Sequence, residues 1–208
     1  MRRSVVALLA TGLLGAATSA LLAQSPAPFG LGGRVEVSGA GYALTLPDGW
    51  AYLRPTTDDD GTLAVFIEAE LEDQDLAMRL VVLAAEMRPD DITLLGMGEG
   101  RGNCFARSTP SGGLTLESLV AADLPMPLAE GDFARSEPTV TYLTLPAGAA
   151  ARIDISEQTG TAPSEHVETS EYVMTDGITQ YRLRCSGLER PDDDWLAIVE
   201  TFEFLPPE

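Results

Sequence analysis

One histidine, two cysteines and several runs of carboxylates are the side chains in this chain with reactive chemistry to offer. His166 is the sole imidazole. As a general base it would need burial or a charged neighbour to tune its pKa. It lies in a polar stretch, residues 161–170, that reads as a loop, so a solvated histidine is the expectation. The chain has no Gly-x-Ser-x-Gly elbow, and a Ser-His-Asp hydrolase would have to be built on His166. No lysine is present: all 13 basic residues are arginine. That excludes Schiff-base and lysine-nucleophile chemistry, and it deprives the Gly96–Gly100 stretch of the lysine that a phosphate-binding loop requires.

Cys104 and Cys185 both sit in strand-like runs. Outside the cytoplasm such a pair is normally a disulfide. Joining them closes a loop of about 80 residues, which constrains the unfolded chain; two buried thiols are the alternative. Two cysteines and one histidine do not fill a structural zinc shell, and no cofactor is expected. Asp58-Asp59-Asp60-Gly61 faintly resembles a calcium loop. In EF-hand register Asp58 and Asp60 fall on the third and fifth positions, but Thr56 and Ile67 then occupy the first and twelfth, where oxygen ligands belong. Asp58 and Asp60 are therefore weak metal candidates, and a turn with a solvated helix start is the plainer reading. Asp192, Asp193 and Asp194 follow Pro191 at a helix start, where carboxylates match the positive end of the helix dipole. Glu68, Glu70, Glu72, Asp73 and Asp75 read as a solvated face, and without an apolar cleft to raise one pKa they make no glycosidase pair.

The net charge is −19. A surface so acidic repels nucleic acid and anionic lipid and suits a partner with a basic patch. The N-terminus explains the redox setting. Arg2 and Arg3 precede an uncharged apolar stretch from Val5 to Ala23 that ends in small residues, which is the pattern of a cleaved secretory signal. An uncleaved anchor is the alternative. Cleavage takes Arg2 and Arg3 with it, so the charge becomes −21. No second stretch approaches the length needed to span a membrane. The expected division is a signal over residues 1–23, a flexible Ser/Pro/Gly-rich linker over 24–33, and one domain over 34–208.

The elements that must position these groups are mostly strands. Val35, Val37, Tyr42, Leu44 and Leu46 alternate with small or polar residues, and period two marks half-buried strands. Pro47-Asp48-Gly49 reads as a turn ending the second, with Trp50 as a core anchor. Apolar residues at helical spacing between Thr62 and Met87 predict a helix. Strands follow over 92–97 and 103–108, and a short helix begins near Thr115. Thr139–Leu145 and Ala150–Ser156 form one hairpin. Glu171–Thr175 and Ile178–Cys185 form another, through a two-residue Asp176-Gly177 connection. Trp195, Ile198, Val199 and Phe202 make the apolar stripe of a last helix. The sum is an α+β domain: an antiparallel sheet of six to eight strands with two or three helices.

Gly41-Tyr42-Ala43-Leu44-Thr45-Leu46-Pro47-Asp48-Gly49-Trp50 resembles the opening strand and turn of the Mog1/PsbP-like fold. Tyr181–Cys185 followed by Trp195–Phe204 resembles its closing strand, last helix and tail. The resemblance implies an antiparallel sheet sandwiched by helices, an α/β/α arrangement. Members of this fold are mostly non-enzymatic, among them a photosystem extrinsic subunit, a small-GTPase partner and secreted bacterial proteins, and no catalytic motif carries over. The expected function is therefore a secreted or cell-envelope, non-catalytic binding or assembly module with an acidic surface, meeting a protein partner. An extracytoplasmic hydrolase and a calcium-dependent surface protein are the alternatives. The calcium reading makes its own prediction: the melting temperature rises with added calcium, and Asp58→Ala or Asp60→Ala abolishes the rise.

Overall fold

A computed structural model describes residues 28–55, 91–96, 102–130, 133–158, 166–189 and 192–206, with Met78, Val81, Val82, Ala84, Met87 and Gly160 between them. The signal, the Asp58–Asp60 loop, the Glu68–Asp75 cluster and most of the helix expected over 62–87 lie outside the described residues. Met78, Val81, Val82 and Ala84 are helical.

Among the described residues eleven strands make one antiparallel sheet. They are β1 (Phe29–Val37), β2 (Tyr42–Leu53), β3 (Ile92–Gly96), β4 (Asn103–Pro110), β5 (Leu128–Glu130), β6 (Phe133–Arg135), β7 (Thr139–Leu145), β8 (Gly148–Gln158), β9 (His166–Thr175), β10 (Thr179–Gly187) and β11 (Glu203–Phe204). The order is β1-β2-β3-β4-β10-β9-β8-β6-β5, with β11 beside β2 and β7 beside β8. Among the described residues two helices have defined bounds, α1 (Leu116–Asp123) and α2 (Asp192–Glu200). The strand number exceeds the expected six to eight because β5, β6 and β11 span only two or three residues, too few for an alternation to be read.

Alternation assigns the faces. On β9, Tyr172 and Met174 join the main core with Leu44, Trp50, Leu94 and Leu183, and α2 covers it with Trp195, Ile198 and Val199. Val173 points the other way, onto Leu116, Leu119 and Val120 of α1, together with Ile153 and Ile155 of β8. Thr115 caps α1 by accepting a hydrogen bond from the Ser118 N–H, an N-cap worth about 1 kcal/mol. Thr201, just past α2, accepts from the Thr45 N–H at 2.8 Å and lies 3.0 Å from the Thr45 carbonyl, tying the end of the helix to β2.

Four expectations are corrected. The linker expected over 24–33 gives way to strand at Phe29, whose side chain is fully buried. Burying that ring in a cluster with Leu53 and Ala84 outweighs the glycines around it. Pro47-Asp48-Gly49 does not end a strand. β2 continues through it, and the β1–β2 register jumps from Gly33↔Leu46 to Leu31↔Ala51, so the tripeptide is absorbed as a bulge. The stretch 161–170 is not all loop, since β9 begins at His166 and its polar residues pair with β8. The β9–β10 hairpin is present, but its last register pair is Thr175↔Gln180, and three residues, Asp176, Gly177 and Ile178, connect the strands rather than two. A two-residue type I′ turn needs positive φ at both centres. Gly177 has φ 93°, whereas among the described residues none other than glycine has positive φ.

Cys104 and Cys185 are partners in the β4–β10 register and form a disulfide, with S–S 2.01 Å and a sequence separation of 81. Both are completely buried. Replacing both by serine should lower the unfolding free energy by about 4.5 kcal/mol from the loop length alone on the chain-entropy model, and more from burying two hydroxyls. Urea denaturation of oxidised wild type and of the double variant measures it.

Candidate functional site

The β9–β10 turn is held more firmly than its Asp-Gly composition requires. The Asp176 Oδ1 accepts from the N–H groups of Ile178 and Thr179 at 2.8 and 2.7 Å. Thr175 Oγ1 donates to the Thr179 carbonyl and accepts from the Gly177 N–H. From β4's end, the Ser111 N–H and hydroxyl reach the carbonyls of Ile178 and Gly177 at 2.8 and 3.0 Å. With its backbone anchored on both sides, Ile178 still leaves its side chain 79% exposed.

Across from this turn lies the β1–β2 connection, one 3₁₀ turn over Ser38–Ala40 closed by Gly41 in the left-handed region at φ 74°. A Cβ at Gly41 would stand 3.2 Å from the Tyr181 hydroxyl, so glycine meets both the backbone and the space requirement. The Gly41 carbonyl accepts from the Leu205 N–H at 2.8 Å, which brings Leu205 and Pro206 alongside. These three pieces enclose a groove of about 380 Å³, within the size range of binding clefts. Its floor is Tyr181, one of a cluster with Tyr42, Phe202 and Phe204 whose neighbouring ring centroids lie 5.2–5.8 Å apart. Its walls are Ala40, Ile178, Leu205 and Pro206, and among the described residues Asp176 is its one charged member.

Asp176 Oδ2 receives the Tyr181 hydroxyl at 3.2 Å. Partial burial pushes the Asp176 carboxyl up, but hydrogen bonds from the Thr179 and Ile178 N–H groups and from Tyr181 outweigh it and hold the group below the ordinary carboxylate range. Burial, aided by the Asp176 charge, raises Tyr181 above the ordinary phenol. At neutral pH the groove therefore presents an ionised carboxylate beside a neutral phenol.

A second pocket, about 320 Å³, is polar and lies where the sheet edge breaks between β6 and β7. Glu137, Asp154, Glu168, Ser136, Thr139 and Ser156 line it. Ser170 donates to Asp154 Oδ1 at 2.6 Å and Arg152 Nε to Oδ2 at 3.0 Å. Here His166 finds its partner: Nε2 lies 2.7 Å from Glu168 Oε1, which also accepts from the Ser156 hydroxyl at 2.7 Å. The carboxylate stands between serine and histidine. Ser156 gives its proton to Glu168 rather than to an imidazole, so these three groups do not form the relay that activates a serine.

The remaining sequence candidates disperse. The cysteines lie in the main core, Asp192–Asp194 open α2, and Trp50 and Trp195 are both buried. Among the described residues no three His, Cys, Asp or Glu side chains are grouped to hold a metal ion. The groove around Asp176 is absent from the sequence reading, which took Asp176 only as a turn former. The available signal was an isoleucine directly after an Asp-Gly turn, where a polar residue is usual.

No family model matches the chain, and no curated protein matches it. The chain is similar to the solution structure of cyanobacterial PsbP (CyanoP) from Synechocystis, with TM-score 0.45 and 14% identity over 93% of this chain and 99% of that one. It is also similar to a crystal structure from Bacteroides thetaiotaomicron, with TM-score 0.42 and 9% identity over 85% of this chain. It spans about half, 49%, of the Bacteroides chain. No function carries over from either likeness.

Asp176 also sets a pH dependence. A carboxyl whose folded pKa lies below its unfolded value, about 3.9, contributes stability that is complete above that value and is lost as pH falls through the folded pKa. Asp176→Asn keeps an oxygen acceptor for the turn but no charge. Its melting temperature should fall below wild type at pH 7, and the gap should close as the pH is taken below 4; thermal melts of both proteins from pH 7 to pH 2 check this.

Proposed function

We propose that this chain is a secreted or cell-envelope binding and assembly module, without catalytic activity of its own, that engages a protein partner through a basic segment. The site is the groove between the Ser38–Gly41 turn and the Asp176–Ile178 turn. One observation carries the reading: an ionised Asp176, fixed in place by two backbone N–H groups, stands beside an isoleucine that is four-fifths exposed. An arginine or lysine of the partner would set its charged end on Asp176 and lay its aliphatic stem along Ile178 and Leu205. The net charge of −19 supports the same partner by steering basic surfaces toward the chain.

The export reading is supported by the buried Cys104–Cys185 disulfide, since such bonds persist in oxidising compartments. An α/β/α layering is supported by the placement of α1 and α2 on faces that alternate along β9. Among the described residues, Glu168 takes both the Ser156 hydroxyl and the His166 ring, which favours binding over hydrolysis.

A cross-linking pull-down from the native envelope tests the proposal. Wild type should capture a protein through a basic segment, with capture falling as salt is raised. Asp176→Asn and Ile178→Ser should each reduce capture by about tenfold, the scale of a 1.4 kcal/mol loss. Capture that is indifferent to salt and to both substitutions would refute the groove as the site.

A further inference from the structure

The two edges of this sheet are built differently. At one edge, β1 carries Arg34 and Glu36, which pair with each other, and Arg34 also reaches Glu203 at 2.9 Å. β1 is interrupted by a register shift at Leu31/Gly33. Charges and bulges are the devices by which edge strands are kept from pairing with other chains. At the other edge, β7 has none of them. Thr139-Val140-Thr141-Tyr142-Leu143-Thr144-Leu145 holds no charge and no proline, and it pairs with β8 over all seven residues without a break. Among the described residues β8 is its sole strand partner. Every other residue of β7 therefore turns its N–H and C=O away from the sheet. Tyr142, at the centre, is 56% exposed, and Thr139, Thr141 and Thr144 are exposed beside it. β-Branched and aromatic residues of this kind suit a paired strand.

We infer that β7 is a pairing edge for β7 of a second copy of this chain, giving an antiparallel dimer with one sheet running through both protomers. The pairing is self-complementary, as a two-fold interface must be. With the axis at Tyr142, Thr139 faces Leu145 of the partner copy, Val140 faces Thr144, and Tyr142 faces its own counterpart, a favourable aromatic cross-strand pair. Glu137, the acidic residue nearest the strand, then falls opposite Ala147 instead of another carboxylate. A second copy is favoured over a foreign strand by charge. An approaching basic segment finds no carboxylate within β7, whereas a like-charged copy meets this chain best where the charge is absent. Alongside β6 the next position is taken by β5, whereas among the described residues the position beside β7 holds no strand. Seven residues a side fall short of the roughly 20–30 of a standard interface, and the dimer is accordingly concentration-dependent.

Because each protomer carries −19, screening should promote the dimer, the reverse of the salt response expected at the basic-partner groove. Sedimentation velocity at about 200 µM protein, from about 50 mM to 1 M NaCl, should show the dimer fraction rising with salt. Tyr142→Glu and Tyr142→Arg should each weaken self-association about tenfold or more by placing like charges opposite one another, with unchanged circular dichroism. An equimolar mixture of the two should recover the dimer by opposing unlike charges. A chain that stays monomeric at every salt concentration overturns the inference. So does a dimer that neither substitution weakens, or a mixture that gains nothing over its components. None of these outcomes bears on capture through Asp176, which is read separately.

Discussion

The pairing of β4 with β10 is the constraint on which the rest of this structure depends. β1 to β4 follow one another in the sheet as they do in the sequence, and β8 to β10 do likewise from the other side. The eight residue pairs from Thr179↔Pro110 to Ser186↔Asn103 join the two halves, with Cys185 set against Cys104 among them. A slip of one residue would turn Leu183 and Tyr181 away from the core that α2 covers, and the disulfide forbids it. The same register carries Ser111 to the β9–β10 turn, where it holds the carbonyls of Gly177 and Ile178. The groove's shape thus follows from a pairing that begins at its own edge.

Charge and burial divide the labour on this scaffold. The apolar residues needed for stability are committed to the two faces, where tryptophans and tyrosines fill the centre. Polar chemistry is left to the rim. Asp154, Glu168, His166 and the serines around them satisfy one another in a network at the β6–β7 break. Asp176 is satisfied as well, but by a turn that projects it beside exposed apolar surface. The first arrangement consumes its hydrogen-bonding capacity internally, whereas the second keeps a charge at the protein surface in a fixed direction.

Much of the fold was readable from residue pattern. The alternations at Val35–Leu46, Thr139–Leu145 and Tyr181–Cys185 became strands, and the stripe of Trp195, Ile198 and Val199 became the helix over the main core. The cysteine pair was readable because both members fell in strand-like runs. What escaped has physical causes. Phe29 makes strand out of a glycine-rich stretch by burying its ring against residues far along the chain, and Pro47-Asp48-Gly49 is a bulge because its neighbours continue the ladder with Ala51–Leu53. Both outcomes are decided by tertiary partners. The groove was hidden for the same reason: Gly41, Asp176, Tyr181 and Leu205 are brought together by topology, and none of them advertises the others locally.

The position of the seam also bears on how the chain comes to its final form. Each half-sheet is assembled from neighbours in sequence, so each can begin without the other. β4's outer edge, by contrast, stays open until β10 has been made, some 70 residues later. A polypeptide emerging N-terminus first therefore spends part of its synthesis with this long-range pairing unmade, and pairings of such separation are the slow ones. Oxidation of Cys104 with Cys185 then acts as a latch: it becomes possible when the last large strand has docked, and it makes that docking hard to reverse.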